Sequence, residues 1–154
     1  MFDNLVSGDC MKNETLSYIL RSLKLSNYDR IKENIYYVKK RVKFTRYDFE
    51  TGKKKYNYGK YEFLVIAEES IKKAIILNCG NIDLHWYVFK KWRGQHVLSN
   101  VLKSGIIKEV WPDIKTVTCC YDYNEDKEEK YKMTEYIASL AGVGMSEEKS
   151  FWIN

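Results

Sequence analysis

The stretch that decides the fold reads Ile82-Asp-Leu-His-Trp-Tyr-Val-Phe-Lys-Lys-Trp-Arg-Gly-Gln-His-Val-Leu-Ser-Asn-Val-Leu102. Its first part predicts a buried strand that ends at Val88, and a short polar turn follows. Apolar residues return at helical spacing from about Gln95 onward, which predicts a helix. The first turn of a helix leaves several backbone N–H groups unpaired, and such groups suit an anionic ligand such as a pyrophosphate.

The residues before this stretch change from a helical to an alternating pattern. Asn13 is a candidate N-cap for an N-terminal helix, and residues 29–33 are expected to add a short helical turn. The apolar positions of the first helix are Leu16, Ile19, Leu20 and Leu23. From about residue 35 the apolar period becomes two, which is typical of a strand.

A turn signal at Glu50-Thr-Gly-Lys53 lies between two alternating segments. Residues 35–48 and 54–67 are therefore predicted to pair as a long hairpin. Residues 74–79 form a short apolar segment, and residues 81–89 another, so two more strands are expected.

Helices and strands alternate after Arg93. An apolar period predicts a helix from Arg93 to Val110, which the single proline of the chain ends. Residues 115–122 and 151–153 are predicted strands. Residues 127–141 are a predicted amphipathic helix with Gly142 as its terminating residue.

This element order predicts an α/β (α+β) fold: a mixed, mostly antiparallel central sheet flanked by helices. Residues 1–154 are expected to form one domain, since this length suffices for one core. The segment from residue 81 to residue 122 is expected to contain a parallel strand–helix–strand unit with a right-handed crossover. Ligands of such sheets bind beyond the carboxyl ends of the strands, where Val88 and residues 93–99 lie.

Composition excludes several classes of protein. No apolar run approaches the roughly 20 residues of a membrane helix, and the N-terminal residues lack the pattern of a signal peptide. A cytoplasmic protein without membrane contact is therefore expected. The cysteines are Cys10, Cys79, Cys119 and Cys120. None forms a C-x-x-C pair, and only His85 and His96 offer imidazole, so no metal site is predicted.

Positive charge is concentrated in one third of the chain. Between Arg30 and Lys60, eleven Lys and Arg residues accompany three acidic residues, so this segment has a net charge of +8. Because the whole chain has a net charge of +5, the remaining residues sum to −3. Two interpretations remain open. The segment is either a nucleic-acid-binding surface, or the solvated face of a hairpin whose lysines block edge pairing. The tyrosines available for stacking on bases are Tyr36, Tyr37, Tyr47, Tyr56 and Tyr58.

The segment from Val88 to Ser99 resembles the acetyl-CoA-binding core of the GNAT N-acetyltransferases. In that family a central strand is followed by Arg/Gln-x-x-Gly-x-Gly/Ala. Arg93 and Gly94 fit this pattern, whereas His96 stands where the first required glycine would be and Leu98 where the family has glycine or alanine. The resemblance covers about residues 60–143.

The resemblance implies a GNAT-like fold and an N-acyltransferase that uses acetyl-CoA or another acyl-CoA. The acceptor would be the amine of a small molecule or a protein. The residues implied in cofactor binding are Tyr87, Val88, Arg93, Gly94, Gln95, His96, Val97, Leu98 and Ser99. The backbone N–H near Val88 would stabilise the oxyanion that develops when the amine attacks the thioester.

The family often uses a tyrosine in the helix after the cofactor loop to protonate the departing thiolate. When the end of that helix is aligned on Gly142-Val143, Ala138 falls at the tyrosine position. Tyr131 and Tyr136 are the nearby candidates for that role. Helical spacing does not put either of them in the direction of Ala138.

Candidates for a general base lie on the central strand. Asp83, His85 and Tyr87 alternate onto one face of it, and Asp83 or His85 could take a proton from an attacking ammonium. The alternative is structural: Asp83 caps a turn and His85 is a hydrogen-bonded core residue. The missing glycines and Ala138 also fit a catalytically inactive GNAT fold that serves as a binding or regulatory protein.

Overall fold

The computed structural model of the chain describes residue 11 and residues 13–48, 50–80, 83–119 and 126–147. The predicted strand at 151–153 lies outside the described residues, as do residues 120–122 of the strand predicted at 115–122. No helix in the described ranges is both long enough and apolar enough to cross a membrane.

Four α-helices and seven strands occur in the described residues. The helices are α1 (Asn13–Ser22), α2 (Val97–Lys103), α3 (Ile106–Val110) and α4 (Lys127–Ala141). The strands are β1 (Asp29–Lys32), β2 (Ile35–Asp48), β3 (Lys53–Glu68), β4 (Ile71–Cys79), β5 (Asp83–Val88), β6 (Thr116–Cys119) and β7 (Gly144–Glu147). Two 3₁₀ turns lie at Leu25–Asn27 and Lys90–Trp92.

The strands form two sheets. The first five are a fully antiparallel meander in chain order, β1-β2-β3-β4-β5. β6 and β7 pair in parallel across α4. The α+β class predicted from the element order is confirmed. The parallel pairing, however, joins β6 to β7, whereas the sequence placed it one step earlier, between β5 and β6.

The predicted long hairpin is confirmed. β2 and β3 pair without interruption from Ile35↔Ile66 to Asp48↔Lys53, and Gly52 takes a positive φ of 69° in the connecting turn. β4 pairs only with residues 62–68 of β3. Beyond Glu62, the last β3 residue that pairs with β4, the hairpin extends as a two-stranded ribbon of residues 39–48 and 53–62.

Two helix predictions were wrong in detail. Residues 29–33 form β1 instead of a helical turn, because a reversal at Asn34, with φ of 65°, folds them back onto the start of β2. The helix predicted at 93–110 is two helices. Gly105 adopts φ of 79° between α2 and α3, and this left-handed conformation cannot continue a right-handed helix.

Each face of the five-stranded sheet carries its own core. Phe63 and Val65 of β3 point towards α1, whereas Leu64 and Ile66 point towards α2, α3 and α4. All four side chains are buried, and each contributes about 1.5–3 kcal/mol by leaving water. The alternation continues into β5, where Tyr87 packs towards the α1 core and Trp86 towards the other. β5 thus borders both cores at the sheet edge.

Candidate functional site

β5 and β6 run next to each other but share no ladder. Within the described residues, β5 pairs only with β4 and β6 only with β7. One side chain bridges the two sheets: Oδ1 of buried Asp83 accepts the N–H of Thr118 at 2.6 Å and the N–H of Leu84 at 3.0 Å. The sheets are therefore joined at the beginning of β5.

A cleft of about 570 Å³ opens along the rest of β5. Residues 84–88 form one wall, and the loop and first turn of α2, at 92–94 and 96–99, form another. Thr118 and Asn13 complete the lining together with five residues of α4, namely Lys130, Met133, Thr134, Tyr136 and Ile137. The lining is mostly apolar, and β5 contributes backbone as well as side chains.

The backbone of β5 presents unpaired groups to this cleft. The N–H of Phe89 donates to Lys73 of β4 at 3.0 Å, and orientation alternates along an antiparallel pair. Residues 84, 86 and 88 therefore point their N–H and C=O away from β4. The carbonyl of Val88 accepts Nε of Arg93 at 2.9 Å. Among the described residues, the N–H groups of Trp86 and Val88 have no hydrogen-bond acceptor.

The loop between β5 and α2 contains two left-handed residues. Gly94 has φ of 77° and His96 has φ of 60°. A Cβ added to Gly94 would meet no atom within 4 Å, so glycine is favoured there by backbone conformation and not by space. His96 adopts the conformation that favours glycine at the very position where the GNAT pattern has glycine. Its side chain is exposed and does not cap α2.

Cationic and aromatic side chains lie in and beside the loop that lines the cleft. The Arg93 guanidinium lies 5.4 Å from the Tyr87 ring centre, and Lys73 Nζ lies 4.3 Å from that of Trp92. Lys73 also pairs with Glu68 at 2.9 Å. Lys90 and Lys91 are exposed in the same loop. The excess of positive charge here attracts anionic ligands.

The structure gives the two candidate bases on β5 structural partners. The carboxylate of Asp83 is engaged by the two backbone N–H groups already described. The buried His85 ring has Nε2 3.0 Å from Oδ1 of Asn13, at the start of α1. Burial and, to a smaller extent, the charge of Lys130 lower the pKa of His85 from 6.5 to about 3. A neutral imidazole with so low a pKa is a weak base towards an ammonium group.

The two candidate acids on α4 are placed differently. Tyr136 lines the cleft and is 52% exposed, whereas Tyr131 is not among the lining residues. Ala138 is buried in the core of the α2–α4 face. Met133 and Tyr136 form an exposed lip of the cleft one turn apart on α4. Tyr136 is thus the tyrosine that α4 brings to β5.

The predicted cofactor-binding residues converge, with one exception. Eight of them line the cleft: Tyr87, Val88, Arg93, Gly94, His96, Val97, Leu98 and Ser99. Gln95 instead borders a second pocket on the other side of α2, and its Nε2 donates to the carbonyl of Lys91 at 3.1 Å. The contributions of Asn13 and of Thr134 on α4 were not anticipated, because no local pattern indicates which distant elements meet at β5.

Among the residues that the structure describes, no three His, Cys, Asp or Glu side chains are grouped so that they could hold a metal ion. Comparisons of the chain with protein-family models, with curated proteins and with solved structures found no match.

Proposed function

We propose that this chain is an acyl-CoA-dependent N-acyltransferase with a divergent GNAT-like fold, acetyl-CoA being the expected donor. The observation that carries the proposal is the unpaired edge of β5, which faces a mostly apolar cleft with a cationic mouth. An edge strand presents a row of unpaired N–H and C=O groups with which another extended chain can pair, and the edge of β5 does so beside a cleft. Leaving such groups without partners costs free energy when a bound molecule excludes water from them. A ligand that supplies hydrogen bonds along this edge removes that cost.

The shape of the cleft suits the extended arm of coenzyme A. This arm is a narrow chain with two amide groups, and an extended amide chain can hydrogen-bond to a strand edge as an additional strand does. Trp86 offers an N–H group to the arm on that edge, and the N–H of Val88 remains for the thioester carbonyl. The apolar parts of the arm would contact Ile137 and Met133 on the opposite wall.

The mouth of the cleft suits the phosphate groups of the same ligand. Arg93 lines the cleft, Lys90 and Lys91 are exposed earlier in the same loop, and Gly94 exposes backbone without a side chain. The α2 helix has only seven residues, so its dipole adds little and the side-chain charges dominate. Arg93 can serve a phosphate through its free guanidinium nitrogens while Nε holds the Val88 carbonyl.

The residues of this chain have distinct roles in the proposed reaction. A bound acyl-CoA supplies an activated thioester carbonyl to an amine. The N–H of Val88 is the donor proposed to stabilise the developing oxyanion, and Tyr136 is the proposed donor of a proton to the leaving thiolate. Because His85 is a weak base, the amine is proposed to lose its proton to water or to the exposed imidazole of His96.

Calorimetric titration with acetyl-CoA tests binding. We expect saturable binding that weakens when Arg93→Ala removes the guanidinium, by roughly tenfold or more for a charge-assisted contact. Lys103→Ala is the matched control, since it removes an exposed cation from the far end of α2 and should leave affinity unchanged. Absence of binding at millimolar acetyl-CoA would overturn the proposal.

Release of free thiol in the presence of a panel of amines tests turnover. The alternative, a GNAT-like protein that binds acyl-CoA without transferring the acyl group, is favoured by the buried Ala138 and by the weakly basic His85. Tyr136→Phe separates the two. It should lower amine-dependent thiol release while binding is retained if Tyr136 is the proton donor. Binding without any turnover across the panel would favour the inactive alternative.

A further inference from the structure

The β2–β3 ribbon, residues 39–48 and 53–62, carries a second cluster of positive charge far from the cleft mouth. It extends from the sheet end at which β5 begins, because Glu62 pairs with Asn78, and Asn78 with Leu84. The loop that contributes Arg93 and Gly94 to the cleft follows Val88, at the other end of β5. A function of this ribbon is therefore separable from binding in the cleft.

One face of the ribbon is cationic. Cross-strand register places Lys39, Arg41 and Lys43 of β2 opposite Glu62, Lys60 and Tyr58 of β3. The four cations and Tyr58 are exposed. Lys39, Arg41, Lys43, Tyr58 and Lys60 are named the cationic face below.

Among the ribbon side chains that the structure describes, Glu62 places a carboxylate on this side, and that carboxylate is already engaged. Oε1 of Glu62 accepts the hydroxyl of Tyr37 at 2.6 Å and Nε1 of Trp111 at 3.0 Å. These bonds direct Glu62 towards the core. Burial, together with the hydrogen bond to Glu62 and the charge of that carboxylate, raises the pKa of Tyr37 to about 12. The outward charge of the cationic face is thus not neutralised by Glu62.

Like charges face each other along the ribbon. Arg41 lies directly opposite Lys60. Two like charges directly opposite each other destabilise an antiparallel strand pair. An external anion that lies between the two cations would therefore stabilise the ribbon. Cations two residues apart on a strand are separated by about 7 Å. This is similar to the spacing of successive phosphates along an extended nucleic acid strand.

Tyr58 adds an aromatic surface among these charges. Its ring centre lies 5.1 Å from the Arg41 guanidinium carbon and 5.7 Å from Lys43 Nζ, yet the residue remains 56% exposed. Exposed aromatic rings within a basic groove stack on unpaired bases. An acidic peptide or an anionic membrane would use the charges but would gain little from this ring.

We propose that the cationic face of the β2–β3 ribbon binds single-stranded nucleic acid, with Arg41 and Lys60 on phosphates and Tyr58 stacked on a base.

Fluorescence anisotropy of the full chain with a labelled oligonucleotide tests this proposal. Affinity should fall with salt, and Arg41→Ala/Lys60→Ala should reduce the slope of log K against log salt by about 1.4, two phosphate contacts at about 0.7 each. Lys103→Ala/Lys132→Ala, which removes two exposed cations from α2 and α4, should leave the slope unchanged. Equal slopes for the two double variants would overturn the proposal.

The stacking contribution has its own control. Tyr58→Ala should weaken binding roughly five- to a hundredfold, whereas Tyr58→Phe should preserve it, since the ring carries the effect. Tyr18→Ala removes a 66% exposed ring from α1 and should change nothing. Thermal melts confirm that each variant folds.

The identity of the partner is tested by competition. Unlabelled single strands should displace the probe at lower concentration than a duplex, polyglutamate or vesicles rich in anionic lipid. Equal displacement by polyglutamate or vesicles, with no effect of Tyr58→Ala, would overturn the assignment to nucleic acid. Increased aggregation of Arg41→Ala/Lys60→Ala without loss of oligonucleotide affinity would also overturn it, because the cations would then only protect the ribbon edges.

Discussion

The two ends of β5 differ although they belong to one six-residue strand. At its beginning, Asp83 replaces a missing ladder partner and ties β5 to Thr118 of β6. At its end, Val88 keeps an N–H group that no described residue accepts, and a cleft faces it. The closed end contributes stability, and the open end leaves hydrogen-bonding capacity for a ligand. An unpaired stretch of strand therefore indicates a ligand site only where no side chain takes the place of the missing partner strand.

The largest expected effect comes from removing the N–H at the open end. Val88→Pro deletes this donor but spares the ladder to β4, because the backbone of residue 88 points away from β4. Proline is tolerated at such edge positions. We expect amine-dependent thiol release to fall about 100- to 1000-fold, the usual loss for one oxyanion donor.

Val88→Ala is the control, since it shortens the side chain and keeps the N–H. It should retain most of the turnover. Circular dichroism and a thermal melt check that Val88→Pro is folded. Equal turnover by the folded proline variant and the alanine variant would show that the open edge takes no part in catalysis.

The closed end predicts an effect on folding. Asp83→Ala leaves the buried N–H of Leu84 and the part-buried N–H of Thr118 without their acceptor. The loss of an acceptor costs a buried donor about 1–3 kcal/mol. Denaturant titration should show a free energy of unfolding lower by about 3 kcal/mol. Asp83→Asn keeps an oxygen acceptor and should lose clearly less. If both variants unfold like the parent protein, Asp83 does not hold the two sheets together.

A smaller effect is expected from His85 as the pH falls. Its pKa is about 3 in the folded protein against 6.5 unfolded, so the unfolded chain binds the proton more readily. The stability due to neutral His85 is complete above pH 6.5 and is lost progressively towards pH 3. Linkage predicts a decrease of about 2 kcal/mol between pH 7 and pH 5.

Denaturant titrations at several pH values measure this decrease. His85→Gln should flatten the pH dependence, and His96→Gln serves as the control variant at an exposed position. The chain has only these two histidines, which makes the comparison unambiguous. If the free energy of unfolding falls equally with pH in the parent protein and in His85→Gln, the pH dependence arises from carboxylates and not from His85.

Patterns of neighbouring residues in the sequence predicted those elements that depend on contacts between neighbouring segments. The turn at Gly52 and the alternation around Val38 and Val42 were sufficient for the long hairpin. The pattern at residues 29–33 was misleading, because pairing with β2 outweighs a weak helical preference. The break at Gly105 could not be predicted from the helical period, since the left-handed conformation of this residue depends on how α2 and α3 pack.

The candidate site divides in the same way. Residues from Val88 to Ser99 are contiguous, so their convergence on one cleft could be predicted. The contact between His85 and Asn13 joins residues 72 positions apart, and the bond from Thr118 to Asp83 spans 35. No periodicity encodes such pairs. The residues that decide whether Asp83 and His85 are bases or structural groups are therefore supplied by tertiary contacts.

The smallest expected effect concerns His96, on the open side of the same cleft. A left-handed conformation costs a non-glycine residue about 1–2 kcal/mol, and the greater freedom of glycine in the unfolded chain offsets about 0.5–1 kcal/mol. His96→Gly should therefore raise the free energy of unfolding by about 0.5–1 kcal/mol. His96→Ala keeps the backbone strain and should give no increase. Acetyl-CoA titration of both variants then shows what the imidazole does to binding. Weaker binding by both variants means that the imidazole contacts the ligand. Tighter binding by both means that the bulk of the imidazole, and not the backbone conformation, obstructs the mouth of the cleft.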